Sequence, residues 1–189
     1  MPNQLEKPKI IREESLYQGF MTLTEATLQY QDGSVHSRLS VDRNDAVAVL
    51  VFDRAAKKYL LARQYRYPTA KRGEPIMIEV PAGMIEKGET PAEAAHREIL
   101  EEMGCKMETL TSLGAFWSSP GLITERIHLF YGETGAGLYA TEGGGTDPGE
   151  DIEVVRMSQS ELDEFIGSAT CIDAKLWICY LRTNQIQNG

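Results

Sequence analysis

Between Gly83 and Cys105 the chain reads GMIEKGETPAEAAHREILEEMGC, and seven positions there carry charge or glycine at fixed offsets: Gly83, Glu89, Arg97, Glu98, Glu101, Glu102 and Gly104. A helix over about Pro91 to Met103 sets Glu98, Glu101 and Glu102 at i, i+3 and i+4, so three carboxylates share one face. Negative charges that close repel unless something cationic sits among them. An amphipathic helix ordinarily turns such charges to water, and Ala92, His96, Ile99, Leu100 and Met103 form the opposite stripe, expected to face the core. Ala94 and Ala95 lie on the acidic side and leave room there for ions and a ligand. The flanks argue for chemistry over a merely solvated face. At roughly 6% per fixed position, chance agreement over all seven is on the order of one in a million or rarer per chain.

Several elements must hold this stretch in place. Thr90 is a helix N-cap with Glu93 three residues on, and Pro91 suits the first turn. IMIEVPA (76–82) runs as a strand straight into the loop, after the apolar strands AVAVLVF (46–52) and YLLARQYRY (59–67) around a DRAAKK turn. METLTSLGAFWSS and RIHLFYGE read as strands after the helix, followed by a Gly-rich stretch (135–151) and the strand IEVVRM (152–157). Ser158 and Glu161 form a capping-box pattern ahead of a helix to about Ile166. A last helix over Asp173 to Leu181 offers Leu176, Trp177, Tyr180 and Leu181 to the core. Upstream, FMTLTEATLQY, the turn Gln31-Asp32-Gly33-Ser34 and VHSRLSVD indicate an N-terminal hairpin or small sheet. The division expected is an N-terminal β element over 1–43 and one main domain over 44–189, with no internal repeat.

Composition narrows the class. The 189 residues, 42% hydrophobic, can bury a sizeable core, and 19 Lys and Arg against 28 Asp and Glu give a formal net charge of −9, which disfavours nucleic acid and anionic membranes as partners. Polar residues interrupt every apolar stretch, and the charged N-terminus has no apolar signal core, so a cytoplasmic enzyme is expected. Cys105, Cys171 and Cys179 include no C-x-x-C and suit three packed thiols in a reducing compartment. His36, His96 and His128 lack zinc-ligand spacing, and His96 is expected to be a buried, satisfied residue.

The seven positions together resemble the signature of the Nudix hydrolases, G-x5-E-x7-R-E-U-x-E-E-x-G-U with U bulky and aliphatic; Ile99 fits the first U, and Cys105 stands at the last, where it packs as a small hydrophobe. The resemblance implies an α/β fold, an α/β/α sandwich with a mixed sheet, plus the small N-terminal β element. It implies hydrolysis of a phosphoanhydride in a nucleoside diphosphate joined to another group. Mg²⁺, with Mn²⁺ as substitute, is the implied cofactor at two or three ions per site, since hard cations on oxygen ligands neutralise a pyrophosphate and acidify water. Glu98 and Glu102 are the first-choice ligands, then Glu101, with the Ala82 backbone carbonyl and Glu150 completing the implied set. Glu89 and Arg97 carry over as a pair tying the loop to the helix.

A loop as long as 135–151 inside a compact domain is functional or disordered, and the resemblance implies a flap bringing a carboxylate over the pyrophosphate. Glu150 is the candidate base; Pro148 stands where the ADP-ribose branch prefers an acid, which leaves Asp147 and Asp151 as alternatives. SSPGLITE (118–125), YQGF (17–20) and the RQYR…EVPAG pattern from Arg63 to Gly83 point to the ADP-ribose and nucleoside-diphosphate-sugar pyrophosphatases. By that likeness Phe20 stacks on a base unless it is a core residue, Arg38 and Arg66 bind phosphate or ribose, and Glu79, Met84 and Glu125 complete the substrate contacts. The two glutamates serve alternatively as partners for the arginines. In that branch the N-terminal strands build a homodimer. ADP-ribose cleaved to AMP and ribose 5-phosphate is the first expectation, another nucleotide sugar such as GDP-mannose the alternative, and a non-catalytic binding module the third.

Overall fold

A computed structural model describes residues 7–146 and 151–187. The run AVAVLVFD forms β4 (Ala46–Asp53), whose Val47 to Val51 are all buried, as a strand covered on both faces requires. Its side chains alternate. Val47, Val49 and Val51 join Ala94, Ala95, Ile99 and Met103 in one core cluster, while Leu50 lies against Cys179 on the last helix. Helices therefore cover both faces of the central strand.

β4 pairs in parallel with β9 (Arg126–Thr134) and antiparallel with β5 (Lys58–Tyr65), in a mixed sheet of order β10-β5-β4-β9-β8 completed by β10 (Glu153–Met157) and β8 (Thr109–Trp117). β4 and β5 meet only at Val51–Asp53 against Lys58–Leu60 and then diverge. Into the gap run β6 (Ile76–Glu79), which pairs with β5, and β7 (Ala82–Met84), which pairs with β4. The Val49 N–H donates to the Pro81 carbonyl at 3.0 Å. That splay lets the Ala82-Gly83 backbone pack against the acidic helix α2 (Pro91–Met103). A short α1 (Tyr67–Ala70), α3 (Gln159–Ser168) and α4 (Ala174–Gln187) complete the order. Thr90 and Glu93 close the capping box of α2, and Ser158 and Glu161 that of α3.

The chain divides into two units: one takes the N-terminal segment through Asp45 with Phe116–Arg126, the other Ala46–Ala115 and everything from Ile127. The first holds an antiparallel sheet, β1 (Lys9–Gln18), β2 (Thr22–Gln29) and β3 (Val35–Asp42), the small sheet of the two forms the sequence allows. The SSPGLITE segment adds to it: the Val41 N–H donates to Leu122 at 2.7 Å and the Thr124 N–H to Val41 at 3.1 Å. Among the described residues no helix is long and apolar enough to cross a membrane.

Some expectations are overturned. His96 and Ala92 are exposed, whereas Ala94 and Ala95 are fully buried. The buried arc of α2 runs Ala95-Glu98-Ile99-Glu102-Met103, because the small alanines let the helix approach β4 and carry two glutamates in with them. Trp177 and Leu181 face outward, since Leu176, Cys179 and Thr183 at i, i+3 and i+7 take the sheet-facing side of α4. Cys171 is exposed, while Cys105 and Cys179 are buried.

Candidate active site

The acids of α2 meet backbone on one side and a guanidinium on the other. The Ala82 N–H donates to Glu102 Oε2 at 3.3 Å, and Glu102 is only 3% exposed. Gly83 must lack a side chain: an ideal Cβ there would sit 1.9 to 2.3 Å from the carboxylate atoms of Glu98. Arg97 Nη1 donates to Glu98 at 2.7 Å and to Glu101 at 3.2 Å, so the cation that the acidic face calls for is supplied in part by its own helix. Its Nε and Nη2 reach the two oxygens of Glu89 at 2.8 and 3.0 Å, and Nη2 also reaches the Met84 carbonyl at 2.9 Å. The loop after β7 is thereby tied to the helix.

These bonds from Arg97, with the Glu86 N–H, hold the Glu89 carboxyl down at about 2. A depressed pKa contributes stability that is present above the ordinary glutamate range and is lost as pH falls through the folded-state value. The acid limb of unfolding should therefore extend from about pH 4.5 toward 2 through this group, and Glu89→Gln should flatten it. Carboxyl-carbon NMR of Glu89 measures the titration directly; a midpoint above 4 would contradict the bonding described.

The oxygens of Glu98, Glu101, Glu102 and the Ala82 carbonyl are of the hard donor type that Mg²⁺ or Mn²⁺ takes, and the bare Gly83 leaves the space a Cβ would fill to the Glu98 carboxylate. Among the described residues no three His, Cys, Asp or Glu side chains are already drawn to ligand spacing around one point. Arg97 lies between Glu98 and Glu101, so an arriving cation competes with it for their oxygens.

Beside this cluster Arg66 grips Glu79 with two bonds, at 2.7 and 3.1 Å, and Lys175 from α4 adds a third at 3.0 Å. Burial opposes the Glu79 charge, but these cations outweigh it and leave its pKa lowered. Burial likewise opposes Arg66, whose pKa is nonetheless raised by Glu79, Glu102 and Asp173, so the field of the helix acid reaches it. Lys175, also bonded to Asp173 at 2.7 Å, was not a candidate in the sequence: nothing local marks a lysine for a carboxylate 96 residues away.

The Gly-rich stretch is anchored as far as it is described. The N–H groups of Gly144 and Gly145 donate to the carbonyls of Glu102 at 2.8 Å and Glu101 at 3.2 Å, and those of Ala140 and Thr141 to Gly104. The Tyr139 hydroxyl donates to buried Asp53 at 2.6 Å. Glu150, Asp147 and Pro148 lie outside the described residues, and Asp151 is exposed at the start of the strand side.

The remaining candidates belong to the N-terminal unit. Phe20 is 72% exposed, which rules out the core alternative, and the Arg43 guanidinium stands 5.3 Å from its ring. Arg43 also pairs with buried Glu125 at 3.7 Å. Arg38, on β3, donates to the Tyr30 hydroxyl at 3.4 Å and to the Ser37 carbonyl at 2.8 Å. The two glutamates proposed from the sequence are thus both partners of arginines, Glu79 of Arg66 and Glu125 of Arg43.

Comparisons with known proteins bear on the whole chain. A NUDIX domain model matches residues 42–169. A GDP-mannose pyrophosphatase of Cronobacter sakazakii is 35% identical over 88% of this chain and 90% of its own length. An ADP-ribose pyrophosphatase of Haemophilus influenzae is 36% identical over 77% of this chain and 71% of its own. A crystal structure of an ADP compounds hydrolase superposes with a TM-score of 0.81 at 22% identity, covering 98% of this chain and 96% of that one, and so shares the fold.

Proposed function

The chain belongs to the Nudix hydrolases, and from that membership we propose that it hydrolyses the diphosphate bond of a nucleoside diphosphate sugar. The observation that carries this reading is the packing of α2 against β7, where the Ala82 N–H holds the Glu102 carboxylate and the bare Gly83 makes room for that of Glu98, on the helix that also carries Glu101. Nudix hydrolases in general depend on divalent metal; bound at these oxygens, Mg²⁺ would neutralise phosphate charge and acidify water. The chain's own residues do the rest. The Ala82 N–H of β7 orients the Glu102 carboxylate, Arg97 orients that of Glu98, and Arg97 also ties Glu89 and Met84 to the same helix. Arg66, shared with Glu79, is the donor we assign to a substrate phosphate or ribose, and Arg38 the second. Glu150 is the proposed proton acceptor for the attacking water. Glu150→Gln should lower kcat at least tenfold with KM changed less than threefold, because a base acts on the bound complex; unchanged kcat across pH would move the role to Asp147 or Asp151.

For the sugar nucleotide, GDP-mannose is favoured by the extent of alignment: the relative of that name matches nearly end to end. ADP-ribose is the second reading, favoured by Phe20, whose open ring suits an adenine face. Measured side by side with Mg²⁺, GDP-mannose should exceed ADP-ribose at least tenfold in kcat/KM, about 1.4 kcal/mol of transition-state preference. The reverse ratio establishes the ADP-ribose reading, and binding without cleavage in either Mg²⁺ or Mn²⁺ the binding-module one. Hydrolysis in H₂¹⁸O should place label in a phosphate of one product. The proposal includes a cytoplasmic homodimer built through the N-terminal sheet, supported by the exposed Ile10, Ile11, Leu16, Tyr17, Val35 and Leu39; light scattering at micromolar concentration tests it.

A further inference from the structure

Helix α2 ends at Gly104, in the left-handed region at φ 69°, and its last carbonyls need donors from outside the helix. They come from the Gly-rich loop: Gly144 to Glu102, Gly145 to Glu101, and Ala140 and Thr141 to Gly104. The approach is close enough to exclude side chains on both parts. A Cβ at Gly143 would lie 2.5 Å from the Glu102 carbonyl oxygen and 2.9 Å from the Met103 carbonyl carbon; one at Gly104 would lie 2.3 Å from the Thr141 carbonyl oxygen and 2.7 Å from the Gly143 nitrogen. These atoms are backbone and cannot swing aside. The residues whose carbonyls are clamped, Glu101 and Glu102, are the ones whose carboxylates stand in the candidate donor set.

We propose that Gly143, Gly144 and Gly145 are positioning residues, a backbone clamp that fixes the last turn of α2 and with it the placement of the Glu101 and Glu102 carboxylates for cation binding. The inference rests on the functional reading above and adds to it a stretch outside the signature helix. Holding both carbonyls from one direction fixes the rotation of the turn about the helix axis, and a side chain projecting from that turn inherits the error of any fraying.

Gly137 supplies a matched control. It lies in the same loop at φ +81°, near the +77° of Gly143, but nothing stands within 4 Å of its Cβ position. Gly137→Ala and Gly143→Ala therefore carry a similar backbone strain, and only the second pushes the loop off the helix. Three readouts apply to full-length protein: amide hydrogen exchange at Gly144 and Gly145, Mn²⁺ affinity without substrate by electron paramagnetic resonance, and kcat with KM. The expected result is loss of amide protection in Gly143→Ala with Mn²⁺ affinity at least tenfold weaker and kcat reduced more than KM is raised, while Gly137→Ala keeps wild-type Mn²⁺ affinity. Thr141→Val, an exposed change that removes the 3.2 Å bond from the Gly143 N–H, should move all three readouts the same way by a smaller amount and serves if Gly143→Ala does not fold. Lost protection with unchanged Mn²⁺ affinity and kcat overturns the positioning role and leaves the functional reading standing. A wild-type protein that neither binds Mn²⁺ nor cleaves a sugar nucleotide overturns both.

Discussion

Glu102→Gln should retain the fold and lose turnover by about 10²–10³-fold, on the order of 3–4 kcal/mol of transition-state stabilisation. The position is buried, 3% exposed, so the change is not the trivial surface swap that a solvated helix face would allow. Even so, Gln keeps an oxygen for the Ala82 N–H and relieves like-charge crowding with Glu98 and Glu101, so stability should change by no more than about 1 kcal/mol. Glu98→Gln should behave alike, and Glu101→Gln, which is more exposed, should lose less. Steady-state kinetics at saturating Mg²⁺, with thermal melting alongside, decides the matter. Near wild-type kcat in both Glu98→Gln and Glu102→Gln sinks the assignment of these carboxylates.

Gly83→Ala should lower kcat by at least about tenfold through a single methyl group. The added Cβ falls within 2.3 Å of the Glu98 carboxylate carbon and oxygens, which are the far end of a flexible side chain. The protein can therefore accommodate the methyl by displacing Glu98, sparing the β4–β7 pairing of Val47 with Gly83. The expected signature is a small change in Tm with a large change in kcat and in the Mg²⁺ concentration for half-activation. A large drop in Tm with unchanged activity per folded molecule would mean that the backbone, not Glu98, had moved.

What could be read from the sequence is what is encoded locally. The bounds of α2 follow from Thr90, Pro91, Glu93 and Gly104, each within a turn of the end it marks, and β4 follows from an uninterrupted apolar run. The rotation of α2 was not legible. Counting apolar residues assigned Ala92 and His96 to the core and Ala94 and Ala95 to the acids, whereas the helix buries the alanines because they allow close approach to β4, and Glu98 and Glu102 go inward on the same arc. β1 gave no usable periodicity, since every residue of KIIREESLYQ is exposed. Arg97 as the cation among the acids was within reach at i, i+1 and i+4, but its reach back to the Met84 carbonyl depends on where the loop lies. The lysine on Glu79 and the glycine clamp join segments far apart in sequence, and no local propensity reports such contacts.

The two ends of α2 are closed from very different distances along the chain. At the first turn Thr90 and Glu93 bond each other, so that end can form as soon as those residues exist. The last turn waits for Gly144 and Gly145, roughly forty residues downstream, and at about 5–20 residues per second of synthesis that delay is about 2–8 s. During that interval the half of the helix nearest the loop is the half that carries Glu101 and Glu102. A ribosome paused before residue 144 would therefore hold a nascent helix complete at its start and frayed at its acids.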